Sequence, residues 1–238
     1  MKKLLISVLM VFTSYTMASA ELGVNLGVSA QLGTMTASGS ESSTDTSVAT
    51  ETVADQEAMF ASGSFFIEKE LGFLPGPLKR LTIGYDNMAH DLDLGTASNI
   101  RNNHVGDSST AAHNSDGNSS GIAKNNQVTA TIDEFETYYM TARITDWLYA
   151  KYGTVTVGVN TSEKLETGGN YGNASLDGTV FGFGLNHEAD NGMFFRLEYN
   201  DYDIEGTTLK NNGTDSKFSV KLNDVSGETA RISVGKAF

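Results

Sequence analysis

The chain of 238 residues has no cysteine, and its 29 acidic residues outnumber 16 basic ones. Such a polyanion is repelled by nucleic acid and by anionic membrane surfaces, and without cysteines its stability cannot rest on disulfides. The mean hydropathy of −0.23 excludes no class, because segments that alternate apolar and polar residues cancel in any average.

The first element is a leader. Lys2 and Lys3 precede an apolar run from Leu4 to Phe12, and Ala18-Ser19-Ala20 supplies small residues for cleavage before Glu21. That run of nine residues is too short for a membrane-spanning helix, which needs about 20. Residues 1–20 are therefore expected to be a cleaved signal peptide and residues 21–238 a single domain, in which 14 basic and 29 acidic residues leave a net charge of −15.

Eight segments of period two follow. The first, Leu22 to Met35, puts Leu22, Val24, Leu26, Val28, Ala30 and Leu32 on one face, with Gly23, Asn25, Gly27, Ser29, Gln31 and Gly33 on the other. The second has Met59, Ala61, Gly63, Phe65 and Ile67 on its apolar face, and the third sets Leu81, Ile83 and Tyr85 against Thr82, Gly84 and Asp86. In the fourth, Tyr138, Met140, Ala142 and Ile144 oppose Thr137, Tyr139, Thr141 and Arg143. The fifth assigns Val155, Val157 and Val159 to the apolar side and Thr154, Thr156, Gly158 and Asn160 to the polar side. Phe181, Phe183 and Leu185 oppose Gly182, Gly184 and Asn186 in the sixth, and Phe195, Leu197 and Tyr199 oppose Arg196, Glu198 and Asn200 in the seventh. The eighth sets Ile232, Val234 and Phe238 against Arg231, Ser233 and Gly235. Each is close to the roughly nine to eleven residues with which a tilted strand crosses a bilayer.

The connections alternate in length. Three are short: Glu68 to Arg80, which holds both prolines in Leu74-Pro75-Gly76-Pro77, Thr145 to Lys151, and His187 to Gly192, which ends in the hairpin pair Asn191-Gly192. The others, near 38–57, 90–127, 162–177 and 203–217, are long and rich in Ser, Thr, Asn, Gly and Asp. An even strand count, short turns on one side with both termini, and long loops on the other predict an all-β fold, an eight-stranded antiparallel up-and-down transmembrane β-barrel. Prolines confined to a turn agree with this, since lipid cannot replace a lost ladder hydrogen bond.

Leader, eight alternating strands, alternating connections and terminal Phe238 together resemble the small single-domain outer-membrane β-barrels of the OmpA-like and OmpX-type porin families, over nearly all the mature chain. The resemblance implies a Gram-negative cell outer membrane with both termini periplasmic, and contacts with outer-membrane lipid and lipopolysaccharide. It also implies recognition of the last strand by periplasmic chaperones and the barrel-assembly machinery, with Phe238 as the assembly signal. Those families carry an apolar or aromatic residue third from the end, where this chain has Lys236, whose amine can snorkel to water near the interface. With Phe238 as the last residue, no periplasmic wall-binding domain is expected.

Eight strands enclose a space that side chains about fill, whereas an open aqueous channel needs roughly sixteen. Asp86, Arg143, Arg196, Glu198 and Arg231 share the predicted interior. They either line a narrow solute path or form an ion-pair network, since unpaired buried charge is costly. By sequence the best neighbouring pair is Glu198 with Arg231, across the last hairpin, and inward Gly27, Gly84, Gly158, Gly182, Gly184 and Gly235 leave volume for a thin water-filled path. No catalytic, cofactor or metal site is expected. His90, His104 and His113 fall in one long loop and His187 on the short-turn side, and neither His90, Asp91 and Asp93 nor Asp107, Asp116 and Asp177 has a recognised ligand spacing.

The loops carry the remaining signal. Glu41, Asp45, Glu51, Asp55 and Glu57 stand in the first without a basic residue, and its Ser- and Thr-rich composition predicts a mobile, unpacked segment. Such acidic loops favour divalent cations that bridge to lipopolysaccharide. The function expected is that of a porin-like outer-membrane barrel with a structural or narrow-channel role. The alternative is a cell-surface interaction protein, an adhesin or a phage or host contact, acting through acidic extracellular loops.

Overall fold

The computed structural model describes residues 22–44, 50–88, 90–102, 123–165, 169–213 and 218–238. The leader at 1–20 and the loop residues Asp45, His104, Asp107, His113 and Asp116 lie outside these. Among the described residues there are eleven strands: β1 (Val24–Ser43), β2 (Glu51–Glu70), β3 (Leu81–Met88), β4 (Leu92–Asn102), β5 (Ala123–Arg143), β6 (Leu148–Leu165), β7 (Ala174–Glu188), β8 (Met193–Ile204), β9 (Thr207–Lys210), β10 (Phe218–Leu222) and β11 (Val225–Ala237).

Eight of them close into a ring, in the order β1, β2, β3, β5, β6, β7, β8, β11, and β11 pairs back with β1 from Asn25 opposite Ala237 to Thr36 opposite Ser226. Every neighbouring pair is antiparallel. Following directly paired residues from Leu26 through Ile67, Tyr85, Tyr138, Thr154, Thr179, Asp203 and Ser226 returns to β1 at Thr36, ten residues above the start. This stagger tilts the strands and narrows the ring to a bore that side chains fill.

The other three strands extend the wall on the long-loop side. On β5, β3 pairs with residues Glu136 to Ala142 and β4 with Ala123 to Ile132, so β3 and β4 follow one another along the same edge. In the same way β10 pairs with β1 from Gly39 to Ser43, above the stretch held by β11. The first long loop is correspondingly shorter than its composition suggested. Gly39, Ser40 and Glu41 pair with Val53, Thr52 and Glu51, a polar hairpin that needs no core because ladder hydrogen bonds hold it. The connection at 90–127 likewise contains β4, and that at 203–217 contains β9, with β10 following directly after it.

An apolar belt wraps the outside. Val28, Leu32, Phe65, Ile67, Ile83, Met140, Phe181, Phe183, Leu185, Phe195, Leu197, Ile232 and Val234 are all exposed, a surface that water would not tolerate over such an area. A closed ring satisfies every backbone group within the sheet, and with this belt it is a membrane-spanning barrel. No helix among the described residues is long and apolar enough to cross. Seven of the eight assigned faces agree with the structure. The fifth segment, now β6, is reversed: Val155 and Val157 are buried inside the barrel, while Thr154 is exposed on the outer wall. The interior is itself apolar at that height, so valine is at home inside. Tyr149 and Lys151, in step with these valines, are also buried.

Epitope tags at Ser43 or Asn212, on the long-loop side, are expected to stain intact cells, and a tag at Gly76 in the turn between β2 and β3 to stain only after permeabilisation. Surface staining at Gly76 would mean the barrel is inserted the other way up.

Candidate functional site in the barrel interior

Alternation sends every second residue inward, and the inward set sorts into two layers. On the short-turn side the layer is polar and charged. Glu68 of β2 accepts both guanidinium nitrogens of Arg196 of β8, at 2.5 and 2.8 Å, and further hydrogen bonds from the Tyr139 hydroxyl at 2.9 Å and the Asn25 amide at 3.1 Å. Lys151 of β6 donates to Glu198 Oε1 at 2.9 Å, and the Tyr149 hydroxyl donates to Glu198 Oε2 at 2.8 Å. Arg231 of β11 donates to Asp86 of β3, and the Ser64 hydroxyl reaches the same carboxylate at 3.0 Å. Three cations thus meet three carboxylates, and each carboxylate carries a further hydroxyl donor, the condition under which buried charge is tolerable.

Aromatic rings close the remaining space. The Lys151 ammonium lies 4.5 Å from the Tyr139 ring, and the Arg196 guanidinium lies 4.4 Å from the Phe194 ring, with Phe66 and Tyr149 beyond. The second layer, toward the long loops, is apolar: Met88, Ile132, Phe135, Val155, Val157, Leu176, Val180, Tyr202, Ile204 and Val225 pack into one cluster. At the short-turn mouth a cavity of about 30 Å³ reaches only as far as Arg196 and Tyr149, room for about one water molecule.

Of the five charges expected inside, the structure brings Asp86, Arg196, Glu198 and Arg231 into the interior but not Arg143. Arg143 is exposed at the rim, 3.9 Å from Glu70. The pairing also differs from the expected one. Glu198 and Arg231 do face each other across β8 and β11, yet Glu198 takes Lys151 and Arg231 takes Asp86, because both partners reach across the bore at the same height. Glu68, Lys151, Tyr139 and Tyr149 complete the network. Glu68 and Lys151 belonged to the ends of short turns in the sequence reading, although each keeps step with its strand's inward residues.

The inward glycines do not leave a water path. A methyl group at Gly84 would strike the Tyr139 ring, at Gly184 the Tyr149 ring, at Gly27 Phe66 and at Gly235 Phe194. Each is a socket for an aromatic ring from the neighbouring strand. Gly182 is occupied in the same way by Asn200, and Gly158 lies on the outer wall against Asp133 and Glu134. Phe238 extends the seam, donating its backbone N–H to the Val24 carbonyl at 2.9 Å. Lys236 donates to the Asn191 carbonyl at 2.6 Å and stands 6.0 Å from the Phe238 ring, so its charge ends in the last turn. His90 accepts from the Gly63 amide at 3.1 Å, and among the described residues no three metal-ligating side chains gather.

No protein-family model matches the chain. No curated protein matches it either. Among solved structures, the outer membrane protein OprG from Pseudomonas aeruginosa is similar at 7% identity and a TM-score of 0.42, over 92% of this chain and 98% of that one. The outer membrane protease OmpT from Escherichia coli gives 10% and 0.41, over 94% and 100%. Ail, the attachment invasion locus protein of Yersinia pestis, gives 10% and 0.37, over 90% and 99%. By its closed ring of eight antiparallel strands and its apolar belt, this chain is a small β-barrel of the outer-membrane type.

Proposed function

We propose that the protein is a closed outer-membrane barrel that works through the surface it raises above the bilayer and not through an open pore. The filled interior carries this reading: three ion pairs, their aromatic packing and an apolar layer stand in series along the bore. The height of the wall supports it further. Beyond Leu32, the last exposed apolar residue of β1, the strand runs on from Gly33 to Ser43, roughly 35 Å at the usual rise per residue.

That extension is acidic on its outside. Asp177, Asp201, Asp203 and Glu228 are exposed, and Asp201 stands directly opposite Glu228, a like-charge pair that costs stability unless a cation relieves it. Divalent cations shared with lipopolysaccharide phosphates are the partners this charge favours, and Phe238 is the residue an assembly machinery would read.

The test is conductance of the refolded mature chain in planar bilayers. Protein that migrates as folded barrel should leave the bilayer electrically silent. Steady openings whose conductance scales with salt, and whose ion selectivity changes in Arg231→Gln, would return the interior to the role of a narrow channel.

A further inference from the structure

We infer that the outer wall holds a phospholipid at a defined place, its acyl chain in a groove across β2, β3, β5 and β6 and its phosphate on a pair of basic residues at the short-turn end. The inference rests on the membrane-spanning reading. The groove has a volume of about 620 Å³, within the range of ligand sites, and its outward side chains are Ile67, Ile83, Tyr85, Tyr138, Met140 and Tyr152. The Tyr85 and Tyr138 rings, with centroids 4.9 Å apart, make one bank of it. In a bilayer such an apolar recess is filled by acyl chains, since neither water nor a headgroup can enter without losing hydrogen bonds.

Charge at its foot selects the headgroup. Lys69, at the end of β2, is exposed and donates to the Leu22 carbonyl at the foot of β1. Arg80, just before β3, is exposed and donates to the Ile144 carbonyl at the foot of β5, 3.2 Å away. Lys69 lines the foot of the groove and Arg80 stands below it, just before Leu81 of β3; each is anchored by a backbone carbonyl, and neither has a carboxylate within ion-pair distance among the described residues. The neighbouring Arg143 is already taken by Glu70. The net negative charge of the chain conceals this basic edge, which suits an anionic phospholipid in the leaflet on the short-turn side.

The experiment uses the mature chain refolded in phosphatidylcholine vesicles with a minor fraction of phosphatidylglycerol, either lipid carrying a photoactivatable acyl chain. Crosslinked peptides are then mapped by mass spectrometry. Phosphatidylglycerol should label the segments around Ile83 and Met140 more than phosphatidylcholine does, on the order of tenfold for two basic contacts. Lys69→Gln with Arg80→Gln should abolish that preference while leaving phosphatidylcholine labelling in place. Met140→Trp, which fills the groove, should reduce labelling there by both lipids and leave labelling near Leu197 unchanged. Equal labelling by the two lipids in the wild type, or labelling spread evenly around the wall, overturns the assignment. A chain that fails to insert, seen as migration unshifted by heating, overturns the membrane reading itself.

Discussion

Lys151→Met is expected to cost about 3 to 5 kcal/mol of unfolding free energy in lipid vesicles, the penalty for leaving a carboxylate without its cation in a closed interior. Lys151 and Glu198 are both buried, and neither the Tyr149 hydroxyl nor the facing Arg231, which is hydrogen-bonded to Asp86, replaces the cation that Glu198 would lose. Lys151→Met combined with Glu198→Gln should recover most of the loss, since no unpaired charge then remains. Arg231→Met should behave in the same way with Asp86→Asn, but not with Glu198→Gln, because Asp86 is its hydrogen-bonded partner. A double-mutant cycle by denaturant titration reads all three. If Arg231 couples more strongly to Glu198 than to Asp86, the pairing across the bore is wrong.

The second large effect separates the two faces of β6 from the lipid-facing wall. Phe183→Arg and Leu197→Arg should each cost about 2 to 4 kcal/mol, since these side chains, 51% and 47% exposed, point into the hydrocarbon. Val157→Arg should cost at least as much for the opposite reason. Val157 is 2% exposed inside the apolar cluster, where an arginine would find neither water nor a carboxylate. Thr156→Arg should be mild, since Thr156 lies on the outer wall within hydrogen-bond reach of Asp177, 3.1 Å away. Refolding equilibria in which Thr156→Arg costs more than Val157→Arg would contradict the inward placement of Val157 on β6.

The strand count of the ring and the outward faces were legible because lipid imposes a strict demand on one side of each strand. Phe181, Phe183 and Leu185, or Phe195 and Leu197, have nowhere else to point. The inward side obeys no such rule. Charges on the short-turn side and hydrocarbon on the long-loop side share the bore, so alternation along β6 fits either facing and does not by itself place Val155 and Val157 inside. Glu68 and Lys151 were hidden by position, standing at strand ends where a charge ordinarily signals a turn. The extended hairpins escaped because their polar faces look like loop composition. Backbone pairing above the bilayer, as between Ser40 and Thr52, needs no apolar side chain to mark it.

The ion pairs also bear on how such a barrel comes together. Arg231 lies on the final strand and Asp86 on the third, while Arg196 on β8 answers Glu68 on β2. Neither pair can form within a single hairpin. A half-zipped sheet lacking β11 holds Asp86 without its counter-ion, and that carboxylate keeps the nascent bore hydrated until the last strand arrives. Sealing the seam and drying the interior then become one cooperative event, which leaves no stable stopping point between an open, wet intermediate and the finished ring.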